Sequence, residues 1–137
     1  MRYLLDSNLL SETTKPAPDF RVELWLTIHE SEAAVSVLTM GELEKGVLLL
    51  SAGRRRTMIE TWFQRIRLQM QGRILAIDEE IMSCWAELYA GELRRGRRLE
   101  VVDSLLAATA VHHRLTIATR NMRGFPAGVA LVNPWEA

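Results

Sequence analysis

The sequence has little of what stabilises secreted proteins or anchors membrane proteins. It contains a single cysteine, Cys84, so no internal disulfide can form. That cysteine lies in a periodic apolar stretch, which favours a buried thiol over a reactive one and suits a reducing compartment. No apolar run approaches the roughly 18 residues that a membrane-spanning helix needs. We therefore expect a soluble, cytoplasmic protein without a disulfide framework.

Several common catalytic motifs are also missing. There is no phosphate-binding loop, no glycine-rich dinucleotide fingerprint and no serine, histidine and aspartate order typical of acyl transfer. There is no repeat, no low-complexity tract and no linker long enough to divide domains. A chain of 137 residues with 48% hydrophobic residues can bury roughly two-thirds of its unfolded surface. Residues 1–137 are therefore expected to form one domain.

The chain has no excess charge of either sign. Lys plus Arg and Asp plus Glu number 17 each, so no overall field attracts nucleic acid. Fifteen of the 17 cations are arginine, and they cluster at 54–56, at positions 65, 67 and 73, and at 94–98. Such runs are as often solvated helix ends as binding patches. Arginine suits bidentate phosphate contacts, and two such clusters in a neutral chain favour phosphate binding.

Apolar runs typical of buried strands alternate with helical periodicities along the whole chain. This alternation predicts an α/β fold, a parallel sheet of about four or five strands flanked by helices. The predicted strands cover 3–5, 33–37, 74–77, 101–102, 116–118 and 129–132. The predicted helices begin near Leu9, Phe20, Thr39, Arg54, Ile81 and Leu105. Asp78 is interpreted as a helix cap, Gly53 as the end of the helix that begins at Thr39, and the four tryptophans as packing residues.

Three acidic residues, Asp6, Glu42 and Asp103, follow predicted strands, and Asn121 follows a fourth. In open parallel sheets ligands bind outside the carboxyl ends of the strands, so these side chains are expected to meet at one edge. Carboxylates without cationic partners favour a divalent metal site. His112 is not counted as a ligand, because its neighbour on the helix, also a histidine, points in another direction.

Each acidic residue also has a purely structural explanation. Thr39 and Glu42 match a capping box, Asp103 is a suitable helix N-cap, and Asp6 is a suitable turn residue. Taken singly, each is better explained by structure than by catalysis. Their joint occurrence at strand ends favours a shared metal site.

The motifs around these residues resemble the PIN-domain ribonucleases, specifically the VapC and FitB type of toxin from bacterial toxin–antitoxin pairs. The resemblance covers nearly the whole chain and rests on an ordered set of segments. These are 4–11, 36–43, 102–110, 118–121 and 133–135. It implies a PIN-like fold, in agreement with the alternation of strands and helices.

The resemblance also implies the chemistry. In that family the positions of Asp6, Glu42 and Asp103 bind Mg²⁺ or Mn²⁺, and the position of Asn121, often a fourth aspartate, completes the catalytic set. The implied activity is endonucleolytic hydrolysis of an RNA phosphodiester. Residues next to these motifs are the expected substrate contacts: Ser7, Asn8, Thr119, Arg120 and Arg123. The implied partners are RNA, a cognate antitoxin and a second copy in a homodimer.

Two alternatives stay open at the level of sequence. The amide at Asn121 leaves room for a non-catalytic PIN-like module that binds RNA or a partner without cutting. A phosphotransfer or dehalogenase-like α/β domain with Asp6 as covalent nucleophile is less well supported, because the Asp6-Ser7-Asn8 triplet lacks the second aspartate of the common phosphatase motif. The identity of the RNA is not encoded in any motif.

Overall fold

Five short parallel strands form one sheet in the computed structural model, which describes residues 1–137. The strands are β1 (Tyr3–Leu5), β2 (Ala33–Ser36), β3 (Ile74–Leu75), β4 (Thr116–Ala118) and β5 (Leu131–Val132), in the spatial order β3-β2-β1-β4-β5. In the central register Leu4 of β1 lies between Ala34 and Ile117. The predicted parallel sheet is confirmed.

Six helices cover the sheet. They are α1 (Ser7–Glu12), α2 (Phe20–His29), α3 (Val37–Leu48), α4 (Arg54–Gln69), α5 (Glu79–Arg94) and α6 (Val101–His113). Two single turns of 3-10 helix lie at Glu30–Glu32 and Pro134–Glu136. None of the helices combines the length and the apolar character that a membrane crossing requires.

The two faces of the sheet each bury an apolar cluster, because side chains alternate along a strand. On one face, Tyr3 and Leu5 pack in a cluster with residues of α2, α3 and α4. On the other face, Leu4 packs in a cluster with Leu106 and other residues of α6, and α5 packs on α6. The result is a helix, sheet and helix sandwich with the carboxyl ends of all strands along one edge.

One predicted strand is wrong. Val101 and Val102 form the first turn of α6, and Glu100 precedes them as the N-cap. Two adjacent apolar residues cannot distinguish a strand from the start of a helix, since both periodicities need a longer run. Asp103 therefore lies inside the first helical turn instead of following a strand.

The capping box predicted for Thr39 and Glu42 is also wrong. Strand β2 ends at Ser36, whose Oγ accepts a hydrogen bond from the Leu38 amide at 3.1 Å and so caps α3 itself. Thr39 is inside the helix, fully buried, with no partner for its hydroxyl. The structural explanation of Glu42 is thereby removed.

Other predicted boundaries have mixed outcomes. Gly53 does not end α3, which stops at Leu48; it precedes α4 with a φ of 154°, a conformation that suits glycine. Asp78 caps α5 as expected, accepting the Ile81 amide at 2.9 Å. All four tryptophans pack against neighbouring residues, two of them buried and two half-buried with their indole N–H groups donating to hydroxyls.

Candidate active site

Three carboxylates reach the edge of the sheet from three different elements. Asp6 follows β1 directly, Glu42 lies in the second turn of α3, and Asp103 lies in the first turn of α6. The backbone of Asp6 is held by the sheet, since its amide donates to the Ala118 carbonyl at 3.0 Å. The site therefore combines Asp6, whose backbone has little conformational freedom, with Glu42 and Asp103, which project from the first two turns of their helices.

The carboxylate of Asp6 is fixed by two donors. Its Oδ1 accepts the Ser7 amide at 2.7 Å, and its Oδ2 accepts the Thr119 hydroxyl at 2.8 Å. The Thr119 oxygen in turn accepts the Asn121 amide at 3.1 Å and the Asn8 side-chain amide at 3.5 Å. One buried hydroxyl thus connects the end of β1 with the loop after β4.

The hydrogen bonds of Thr119 indicate a structural role for this residue. Its side chain is fully buried, and its hydroxyl is engaged with Asp6, Asn8 and Asn121. A group with these partners presents nothing to a substrate at the surface. Thr119 holds the orientation of Asp6.

Asn121 lies next to Asp103, as the sequence predicts. Its side-chain Nδ2 donates to Asp103 Oδ2 at 3.5 Å, so the amide adds a donor and not a fourth negative charge. Gly124 packs against both groups, and a β-carbon at this position would lie 2.8 Å from Asp103 Oδ2. Sequence reasoning missed Gly124, because nothing in its neighbours reveals that the loop folds back onto Asp103.

The carboxylates repel one another. Burial raises the pKa of Asp103 from 3.8 to about 6, and the charges of Glu100, Asp6 and Glu42 add to the effect. Burial also raises the pKa of Glu42, with further contributions from Asp6 and Glu100 that Lys45 partly offsets. These groups are therefore close enough to share one electrostatic environment, in which negative charge is only partly compensated.

Glu100 is a fourth carboxylate that sequence reasoning missed. It occupies the N-cap position of α6, yet its side chain makes no capping hydrogen bond. Burial is the main cause of the raised pKa values of Asp103 and Glu42, and the charge of Glu100 raises both further. The available signal was the spacing of three residues between Glu100 and Asp103, which places both on one helix face.

The carboxylate side chains are the chemical type of ligand that suits a hard divalent cation. Carboxylate oxygens are the ligands that Mg²⁺ prefers, and an ion there would relieve the repulsion that raises the pKa values of Asp103 and Glu42. No group of three or more histidine, cysteine, aspartate or glutamate side chains is arranged so that it could hold a metal ion as it stands. The residues are thus suited to the ion chemically, without forming a closed coordination shell.

The remaining predicted substrate residues occupy different settings. Ser7 and Asn8 are half-buried at the start of α1, where the Ser7 amide donates to Asp6 and Asn8 Oδ1 is buried without a partner. Arg120 is exposed, with its guanidinium 5.3 Å from the centre of the Trp135 ring. Arg123 is exposed too, and its backbone carbonyl accepts a hydrogen bond from Arg97. Contact of these residues with a substrate stays a prediction.

Known proteins share the sequence and the fold. The profile of the PIN domain family matches residues 3–127. Toxin FitB of Neisseria gonorrhoeae is 37% identical over 136 residues, covering 97% of this chain and 98% of that protein. VapC ribonuclease Y4jK of Sinorhizobium fredii is 34% identical over 136 residues, covering 97% of each. The crystal structure of FitAcB from Neisseria gonorrhoeae superposes with a TM-score of 0.93 at 35% identity, over 98% of this chain and 99% of that one.

Proposed function

This chain belongs to the PIN domain family, and we propose that it is a ribonuclease that acts as the toxin of a toxin–antitoxin pair. The observation that carries the proposal is the convergence of Asp6, Glu42 and Asp103 at one sheet edge, where their charges are only partly compensated. Asp6 also caps α1, but structural roles do not account for the other two carboxylates, because the capping box at Glu42 does not exist and Asp103 is not the N-cap of its helix.

We propose that Asp6, Glu42 and Asp103 hold Mg²⁺ or Mn²⁺. When bound, such an ion lowers the pKa of an attacking water and neutralises charge on the scissile phosphate. The chain's own contribution is orientation: the Ser7 amide and Thr119 hydroxyl fix both oxygens of Asp6, and the Asn121 amide restrains Asp103. No side-chain nucleophile is needed for endonucleolytic hydrolysis of RNA by this route.

The proposed partners are an antitoxin and a second copy of the chain. The FitB relative is named a toxin, and solved structures of related toxin–antitoxin complexes share the fold. The surface supports a protein partner, because Phe20, Leu24 and Ile28 form an exposed apolar stripe along α2, with 73%, 48% and 60% of their surfaces accessible. We place the activity in the cytoplasm, where reducing conditions suit the free thiol of Cys84.

The ribonuclease proposal is tested by incubating the purified protein with total cellular RNA in Mg²⁺, in Mn²⁺ and in EDTA. We expect discrete cleavage products with either ion and none in EDTA. Asp6→Asn is the matched variant, because it keeps the shape of the side chain while removing one charge of the cluster. Intact RNA in both ions, with wild-type protein that is folded, would contradict the proposal.

A second candidate function is a non-catalytic module that binds RNA or a protein. The observation in its favour is Asn121, whose amide donates to Asp103 at a position where the resemblance to the family often implies another acid. Calorimetric titration with Mn²⁺ separates the two functions. Stoichiometric binding without any RNA cleavage would favour the module, and binding accompanied by cleavage would exclude it.

A further inference from the structure

The structure distinguishes the two arginine clusters. In the cluster at 94–98, Arg95 and Arg97 lie 3.3 and 3.7 Å from the carboxylate of Glu92, which is only 3% exposed. Arg97 also donates to the backbone carbonyls of Arg123 and Phe125 at 2.8 and 3.0 Å. This cluster therefore has a structural use, which is to tie the end of α5 to the loop that carries Gly124.

The cluster on α4 has no comparable structural use. Arg56 pairs with Glu60 at 3.0 Å, whereas Arg55 and Arg65 form no ion pair with any carboxylate. The first turn of α4 contains three arginines, Arg54 among them, and no acid. Cations at a helix N-terminus are unfavourable, because this end of the helix dipole is positive. These charges thus oppose helix stability, and a bound anion would offset that cost.

Arg55 and Arg65 lie on the same face of α4 and line one groove. Met58 and Trp62, at helical spacing between them, line it as well, and the groove has a volume of about 440 Å³ between α4 and the residues that follow α1. The two guanidinium groups are ten residues apart, or roughly 15 Å along the helix axis. The groove thus presents two unpaired cations on either side of an apolar floor.

This groove continues toward Glu42. An adjoining cavity of about 240 Å³ shares Thr14, Ile59 and Trp62 with it and is lined at its other end by Ser7 and Glu42. A chain lying in the groove would therefore enter the site beside Glu42. No comparable cavity links the carboxylates to the cluster at 94–98 among the main cavities of the structure.

The hydroxyls in the groove act as acceptors. Thr14, Thr57 and Thr61 donate their hydroxyl protons to the backbone carbonyls of Ser11, Gly53 and Thr57, at 2.7, 3.1 and 3.0 Å. What they offer a ligand is oxygen lone pairs, which suit a ribose 2′-hydroxyl and repel phosphate. Phosphates would bind Arg55 and Arg65, and bases would stack on the apolar side chains of the groove.

We propose that this groove along α4 binds the single-stranded RNA that flanks the scissile bond, with phosphates on Arg55 and Arg65. The inference rests on the proposed ribonuclease function and adds the path of the substrate to it. The unpaired cations, the acceptor hydroxyls and the continuity with Glu42 all match one ligand, a ribose–phosphate chain.

The test compares two double variants with equal loss of charge. Arg55→Gln with Arg65→Gln removes the groove cations, and Arg94→Gln with Arg98→Gln removes two exposed cations of the other cluster. Binding of a fluorescein-labelled, random-sequence 20-nucleotide RNA is followed by anisotropy in EDTA, which prevents cleavage, at several salt concentrations. Cleavage of the same RNA is then measured in Mg²⁺ and in Mn²⁺.

We expect the groove variant to bind RNA roughly tenfold or more weakly. Its plot of log affinity against log salt should be shallower by about 1.4, since each phosphate contact to a single strand contributes about 0.7. The variant with Arg94→Gln and Arg98→Gln should match wild type in RNA affinity and salt dependence. Arg55→Lys with Arg65→Lys should restore the salt dependence. DNA of the same sequences should bind wild type more weakly, and equal affinity would overturn the ribose contacts.

The failures of the two proposals are distinguishable. Wild type that neither binds nor cleaves RNA would refute the ribonuclease function and this inference with it. If wild type cleaves RNA and the groove variant matches it in RNA affinity and salt dependence, only the groove is refuted as the RNA path. The groove would then be assigned to a protein partner. Circular dichroism and thermal midpoints of both variants exclude unfolding as the cause of any loss.

Discussion

Neutralising Asp103 is expected to stabilise the metal-free protein. The pKa of this carboxyl rises from 3.8 to about 6 on folding because burial, and then Glu100, Asp6 and Glu42, disfavour its charge. A difference of that size corresponds to roughly 3 kcal/mol. Asp103 is partly accessible to water, which screens the effect, so we take about half, or about 1.5 kcal/mol. Asp103→Asn should therefore raise the free energy of unfolding at neutral pH.

The sign and the pH window follow from linkage. Because the pKa of Asp103 is higher in the folded state, the folded chain retains a proton that the unfolded chain has lost between about pH 4 and pH 6. Below pH 4 residue 103 is neutral in both the folded and the unfolded state, so the variant has no advantage in stability. The stability of wild type falls relative to the variant as pH rises from about 4 to 6, and the full difference is present above pH 7.

Urea unfolding in EDTA between pH 4 and pH 8 measures this difference directly. At pH 7.5 the variant should also melt roughly 4 °C higher. Asp78→Asn is the matched control, because asparagine caps a helix as well as aspartate does and Asp78 lies away from the cluster. A variant less stable than wild type at pH 7.5, or a gain as large at pH 4 as at pH 8, would refute the idea of net repulsion at the site.

Three further substitutions test the site. Glu42→Gln should lower RNA cleavage roughly a hundredfold or more. The thermal midpoint in EDTA should hold or rise, because the change removes a charge without removing a helix cap. Full activity would exclude Glu42 from the site. Asn121→Asp should keep or raise cleavage and tighten Mn²⁺ binding measured by calorimetry, since it adds a hard anionic ligand beside Asp103; complete loss of cleavage would mean that the amide has a role of its own. Gly124→Ala should reduce cleavage by roughly tenfold to a hundredfold, because its β-carbon would displace Asp103 and Asn121, and unchanged rates would show that the loop yields freely.

The order of elements and the edge of the sheet were predictable from sequence because strand runs such as Tyr3–Leu5 and Thr116–Ala118 end at a polar residue. Asp6 and Thr119 follow those strands directly, so their place at the edge depends on strand direction alone. The same reasoning was wrong at Val101, where two apolar residues start a helix, and at Thr39, where Ser36 had already capped the helix.

The rest of the site depends on tertiary contacts that leave little trace in sequence. Glu100 joins the cluster because α6 begins one turn earlier than expected, which makes Glu100 the N-cap of the helix. Gly124 is required because its loop folds back onto Asp103 and Asn121, which are 21 and 3 residues away in sequence. The buried bond between Thr119 and Asp6 joins residues separated by 113 positions. Such pairings follow from the packed fold and not from local pattern.

The most direct test of the central claim joins metal binding to cleavage at Asp6. Mn²⁺ is titrated calorimetrically into wild type and Asp6→Asn, and cleavage of one labelled RNA is measured at the same Mn²⁺ concentrations. We predict that wild-type cleavage saturates with the same dissociation constant as Mn²⁺ binding. Asp6→Asn should bind Mn²⁺ more weakly and leave the RNA intact. Cleavage by Asp6→Asn at the wild-type rate, or wild-type cleavage that persists undiminished in EDTA, would contradict a metal-dependent ribonuclease site built on Asp6, Glu42 and Asp103.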